Sequence, residues 1–282
     1  MPDLHLPTHR LHYRIDGAAA AGPWLVFCNS LGTDLHMWDA QVADLAKDFR
    51  ILRYDRRGHG GSGIPAPPYS LADLGADVIA LMDALGTARA HFCGLSIGGL
   101  TAQWLALHAA DRLERVVVCA TAARIGTPAG WHARIAEVEA DGLQGLVPAT
   151  AERWFTPAFR AARPEAVAAI LASFAATSAD GYAGCCAALA GADLRDRLAQ
   201  IATPLLAISG EDDPVCPPAD LEAIARAVQH GRHVALPGRH IVNLESADTF
   251  NAVLRDFLRA AGPSSHGRTR PALQSTNSGR TT

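Results

Sequence analysis

The chain carries little excess charge of either sign: over 282 residues, 25 lysines and arginines face 28 acids, for a formal net charge of −3. That balance makes no one-sided field of the kind that steers a protein to nucleic acid or to an anionic membrane surface. Long hydrophobic runs are also missing. No window approaches the roughly 18 apolar residues of a membrane span, and Met1-Pro2-Asp3-Leu4-His5 has no basic segment ahead of an apolar stretch. A soluble, cytoplasmic protein with no nucleic-acid or membrane partner is expected. Metal-ligand spacing is lacking as well: the twelve histidines are scattered, with only His230 and His233 or His9 and His12 close together, and no C-x-x-C pair accompanies a histidine cluster. Neither a structural metal nor a cofactor is expected. Of the six cysteines, Cys28, Cys93 and Cys119 sit in short apolar runs that read as buried strands, and the adjacent Cys185 and Cys186 are poorly placed to pair with each other. Reduced thiols that serve packing are the simpler reading.

What is present is a hydrophobic content of 49%, enough for a sizeable core, in an alternating pattern. Leu11–Ile15, Trp24–Cys28, Arg50–Tyr54, His91–Leu95, Arg115–Cys119, Pro204–Ser209 and Arg232–Leu236 read as strands, with helical periodicity between them. Such alternation predicts an α/β fold, a mostly parallel twisted sheet with helices on both faces. Ser70-x-x-Asp73 resembles a capping box ahead of Leu71, Leu74, Val78, Leu81 and Leu85, and Gly86 ends that helix. Two further stripes, Leu221/Ile224/Val228 and Phe250/Leu254/Phe257/Leu258, predict late helices packed on the sheet. From about Ala122 to Gln200 the strand signals vanish, leaving Ala-rich helical stretches broken by Gly126, Pro128, Gly142, Pro148, Pro157 and Pro164. The division expected is a core of 1–121 and 201–262, a helical lid of 122–200 over the carboxyl ends of the strands, and a polar, basic, disordered tail of 263–282.

The chemistry-bearing motif is Gly94-x-Ser96-x-Gly98, between the strand ending at Leu95 and a helical run from Leu100 to Leu107. Glycines flanking a serine on a strand-to-helix turn permit the tight backbone that exposes a nucleophile. By itself the motif is equally a glycine-rich turn. A serine needs a base and an acid to orient that base, and on such a fold they follow in the order serine, acid, histidine. After the strand ending at Ser209 comes Gly210-Glu211-Asp212-Asp213-Pro214, and after that ending at Leu236 comes Pro237-Gly238-Arg239-His240. Ser96, Asp213 and His240 are the candidate triad, with Asp212 the alternative acid. The amides of Leu31 and Ile97 are the candidate oxyanion hole. Asp55–Ser62 reads as a supporting loop, with Arg57 tied to nearby backbone and no catalytic part for His59.

With these pieces in place the chain resembles the α/β-hydrolases and, more closely, the 3-oxoadipate enol-lactonases of bacterial aromatic catabolism, over roughly residues 9–260. The triad pattern is shared by many esterases. The more specific part is Asn29-Ser30-Leu31-Gly32-Thr33-Asp34-Leu35-His36-Met37-Trp38-Asp39 together with lid segments around Arg124, Trp131, Arg134, Arg153, Trp154 and Tyr182–Leu189. Cys216, where that family more often carries threonine, and the tail are departures. The resemblance implies hydrolysis of 3-oxoadipate enol-lactone, a small lactone with a free carboxylate, by a monomer or small homo-oligomer. Arg124, Arg134 and Arg153 are candidates to grip the carboxylate, with Trp131 and Trp154 walling the pocket. Competing expectations are a general carboxylesterase, a perhydrolase-like enzyme or a carbon–carbon bond hydrolase on the same triad, and a ligand-binding homologue without turnover.

Overall fold

A computed structural model of the chain describes residues 2–17 and 22–260, and the predicted tail of 263–282 lies outside them. Eight strands form one sheet: β1 (Asp3–His5), β2 (Arg10–Asp16), β3 (Trp24–Cys28), β4 (Arg50–Tyr54), β5 (Ala90–Leu95), β6 (Leu113–Cys119), β7 (Leu205–Gly210) and β8 (Gly231–Leu236), in the order β1-β2-β4-β3-β5-β6-β7-β8. The pairs β1/β2 and β2/β4 are antiparallel and the remaining five are parallel. β5 and β7 are buried along their whole length, while the edge strand β8 is mostly half-exposed. A strand covered on both faces has no polar side to show, which is why β3, β5 and β6 read as apolar runs rather than as alternating patterns.

Helices α1 (Asp39–Leu45), α2 (Leu71–Ala84) and α3 (Ile97–His108) lie between the early strands. α4 (Pro128–Asp141), α5 (Val147–Trp154), α6 (Pro157–Ala162), α7 (Pro164–Ala176) and α8 (Ala179–Ala190) fill the interval between β6 and β7, and α9 (Pro218–Ala227), α10 (Val242–Glu245) and α11 (Ala247–Arg259) follow. α2 carries both halves of its capping box: Ser70 Oγ accepts from the Asp73 amide and the Asp73 carboxylate accepts from the Ser70 amide. The prolines of the inserted segment, which read as interruptions in the sequence, begin helices: Pro128, Pro157 and Pro164 each open one, after Thr127, Thr156 and Arg163. A first-turn proline gives up an amide that had no helical partner and brings a φ already suited to the helix.

Two contacts that fasten the helical insertion to the core lie close to the predicted site residues. At one, Gly181 of α8 lies on Gly58, so close that a Cβ on Gly181 would stand 2.1 Å from the Gly58 carbonyl oxygen. At the other, Glu245 of α10 accepts from the Thr156 amide and hydroxyl (3.1 and 2.5 Å) and from the Arg239 amide (2.7 Å), while the Ile241 amide donates to Trp154 O (3.2 Å). All six cysteines are free and buried. Among the described residues no helix is long and apolar enough to cross a membrane by itself, and no cluster of three or more His, Cys, Asp or Glu is arranged to hold a metal ion.

Candidate active site

The carboxyl ends of β3, β5, β7 and β8 bring the predicted residues to one rim, where open α/β sheets place their ligand sites. Ser96 follows β5 with φ 59° and ψ −119°, a left-handed backbone rare for a residue with a Cβ. The strain is held by the Ser96 amide donating to Cys119 O (2.9 Å) and the Thr121 hydroxyl donating to Ser96 O (2.7 Å). The flanking glycines are sterically required. A Cβ on Gly94 would meet Gly98 O at 2.1 Å, and one on Gly98 would meet Cys28 O at 2.3 Å.

Asp213, after β7, is buried and its carboxylate is fully used: Oδ1 accepts from the Val215 and Cys216 amides (2.8 and 3.2 Å) and Oδ2 from His240 Nδ1 (2.9 Å). Asp212 is exposed. His240 is buried, with the Trp154 ring 6.5 Å away at a tilt of 31°. Ser96 and His240 line the same cavity, with no hydrogen bond between their side chains in this structure.

On the β3 side, amides flanking Leu31 are occupied. Ser30 N donates to Met37 Sδ (3.3 Å), Gly32 N to His59 Nε2 (2.9 Å) and Thr33 N to Ser30 O (3.4 Å). The amides of Leu31 and Ile97 have no hydrogen-bond partner among the described residues. His59 therefore accepts at Nε2, and burial followed by the charge of Arg56 pushes its pKa down to about 3, keeping the ring neutral. Arg57 corrects the sequence expectation. Its main partner is not backbone but the buried Asp77 carboxylate, gripped through Nε and Nη2 at 2.7 Å each, with Asp73 O as a third acceptor (3.1 Å).

The cavity, of about 300 Å3, is lined by Ser30, Leu31, Ser96 and His240 from the core and by Trp131, Arg134, Arg153 and Trp154 from the insertion. Trp131 and Arg134 come from one face of α4, and Trp131 is fixed by donating Nε1–H to Ile125 O (2.6 Å). Arg134 pairs with the half-exposed Glu137 (3.0 Å). Arg153 has only the Thr150 hydroxyl (3.3 Å) and no carboxylate within 4 Å among the described residues. Burial, and then the nearby Arg134 charge, pushes its pKa below the usual value. Arg124 stands 3.6 Å from Asp193 and is not among the residues lining this cavity. Phe174 of α7 and Tyr182 of α8 line the cavity without having been singled out for it. Their signal was a lone large aromatic in a helix of small residues, which core packing explains equally well.

The alpha/beta hydrolase fold model matches residues 23–247. The chain is 44% identical over 251 residues to 3-oxoadipate enol-lactonase 2 of Acinetobacter baylyi, covering 88% of this chain and 94% of that protein. It is 41% identical over 250 residues to 3-oxoadipate enol-lactonase 1 of the same organism, covering 89% and 93%. The crystal structure of the enol-lactonase from Burkholderia xenovorans superposes with a TM-score of 0.90 at 46% identity, covering 92% of this chain and 100% of that one. An eight-stranded sheet in this order, a serine on a left-handed turn and these similarities place the chain in one group: it belongs to the α/β-hydrolase family and is a hydrolase resembling the enol-lactonases.

Proposed function

We propose that the protein hydrolyses 3-oxoadipate enol-lactone to 3-oxoadipate, within aromatic catabolism in the cytoplasm, with Ser96 as nucleophile, His240 as base and Asp213 as the group that orients it. Ser96 Oγ attacks the lactone carbonyl and His240 Nε2 takes its proton, while the Nδ1–H donated to Asp213 sets the tautomer and supports the imidazolium. The free amides of Leu31 and Ile97 receive the oxyanion. Collapse of the tetrahedral intermediate breaks the ring C–O bond. The leaving enolate is a far weaker base than an alkoxide and stays tethered in the acyl chain; the His240 imidazolium gives it the proton taken from Ser96, which restores the neutral imidazole, and the enol tautomerises to the ketone. Water, deprotonated by His240, then adds to the acyl-enzyme carbonyl, and collapse of that second intermediate breaks the bond to Ser96 Oγ, which takes its proton back from His240 as the acid is released. The segment 122–200 acts as the lid that closes the site from above.

The observation that carries the substrate is the arginine pair. Arg134 and Arg153 line a cavity that also holds Ser96, and Arg153 lacks an acidic partner among the described residues, so a carboxylate on the substrate would supply the missing anion. Freshly prepared enol-lactone, followed by loss of its ultraviolet absorbance beside p-nitrophenyl acetate, tests this. Rapid lactone opening is expected, abolished in Ser96→Ala. In Arg153→Ala and Arg134→Ala the KM for the lactone should rise about tenfold or more, with little change for the uncharged ester, matching the ~1.5–3 kcal/mol of a charge-assisted hydrogen bond. Good ester turnover without lactone opening would return the enzyme to the general carboxylesterases.

A further inference from the structure

Three arginines of the β4 strand and its following loop are buried, and one of them differs from the others. Arg53 is paired with Asp16 (2.8 Å) and Arg57 with Asp77 (2.7 Å). Arg56, 1% exposed, has no carboxylate within 4 Å among the described residues. Its Nη1 donates to Ser30 O (3.2 Å), its Nη2 to Asn29 O (2.5 Å) and toward Cys28 Sγ (3.5 Å), and its Nε has no partner. A buried cation held only by neutral acceptors is costly to the folded state, so its retention asks for a reason outside stability.

The reason lies in which carbonyl it holds. Ser30 O and the Leu31 amide belong to the same peptide group, and in a trans peptide the C=O and N–H point in opposite directions. Donors fastened on Ser30 O therefore aim the Leu31 N–H the other way. Ser30 O also accepts from the Thr33 hydroxyl (2.9 Å), and Gly32 N on the far side is pinned to His59. We infer that Arg56 is a positioning residue for the oxyanion hole: it fixes the Ser30–Leu31 peptide plane from behind and polarises its N–H toward the cavity. The inference rests on the proposed acyl-enzyme reading. As negative charge develops on the carbonyl oxygen, the buried guanidinium sits behind the donating amide, where its charge is screened less than at the surface, and the attraction is strongest in the transition state.

The effect belongs to every ester the serine attacks, so it is separable from substrate identity. Arg56→Met and Arg56→Lys are compared with the wild-type enzyme on the enol-lactone and on p-nitrophenyl acetate, and by inhibition with a trifluoromethyl ketone, which forms an oxyanion on the serine. In Arg56→Met, kcat should fall by roughly 10- to 100-fold on both substrates with KM within about twofold, below the 100- to 1,000-fold for deleting a whole oxyanion donor. The ketone's inhibition constant should rise in parallel. Arg56→Lys, which keeps the charge but not the two-pronged grip, should lose less. If Arg56→Met does not fold, the Lys variant decides by the same two readouts. Folded variants with unchanged kcat and unchanged ketone inhibition would overturn the role, as would a loss confined to KM. Wild-type activity on the ester alone would sink the lactone assignment and leave this test intact; activity on neither substrate would overturn both.

Discussion

Asp212 and Asp213 are adjacent in the chain and opposite in environment. The first is exposed, its amide donating to Gly238 O (3.0 Å), while the second is buried with His240 and two amides on its carboxylate. Asp213→Asn is expected to lower kcat by about 10,000-fold, through the wrong imidazole tautomer, and Asp212→Asn by less than about twofold. Steady-state turnover of the two purified variants checks this, and the reverse ranking would transfer the role to Asp212. Sequence spacing left the pair open because one residue's shift along a loop reverses which side chain turns inward. The same limit explains the arginines. Charge and the resemblance propose Arg124, Arg134 and Arg153 equally, and only the packing of the insertion separates Arg134 and Arg153, in the lining, from Arg124, beside Asp193. Arg57 and Asp77, twenty residues apart and joined across two elements, were likewise invisible to local pattern.

At the scale of elements, the strands were legible wherever burial on both faces leaves a continuous apolar run. β3 and β4 match their predicted bounds, β2 and β7 differ by one residue at each end, and β5, β6 and β8 begin one or two residues earlier than predicted. β1, three residues of edge strand with the sequence Asp-Leu-His, was missed because so short a run carries no period. The contact of α8 with the loop between β4 and α2 is tighter than any hydrophobic pattern reports. In Gly181→Ala the new Cβ would meet Gly58 O at 2.1 Å and Gly58 Cα at 2.5 Å, both backbone, so the helix must withdraw. We expect a stability loss of about 1–3 kcal/mol, typical of overpacking, and a several-fold higher KM for the lactone, because Tyr182 leaves its place in the lining with the helix. Thermal midpoints and kinetics of the variant measure both, and wild-type values would show the contact to be slack.

At the scale of the whole molecule, the fold disfavours the charged form of two buried histidines, His59 and His91. Burial pushes His59 down to about 3 and His91 down to about 4, from an ordinary value of 6.5, with Arg56 assisting at the first and Arg115 and Arg89 at the second. Because both folded values lie below the unfolded one, the unfolded chain binds more protons in the interval, and stability is lost as pH falls through 6.5. By pH 5 each ring should cost about 2 kcal/mol. Asp55, pushed up by burial, works in the opposite sense nearer the carboxylate range. Urea midpoints at pH 7.5 and 5 report the difference, and equal values would mean that the rings are charged or open to water in the native state. Two of the contacts that fasten the helical insertion carry a further consequence. One touches the loop that bears Arg56 and His59, and the other touches the turn that bears His240. Exchange of this segment between related hydrolases is therefore not a neutral transplant: a donor insertion would have to bring a glycine opposite Gly58 and a hydroxyl opposite Glu245, or the recipient would gain a new specificity pocket over a disordered catalytic rim.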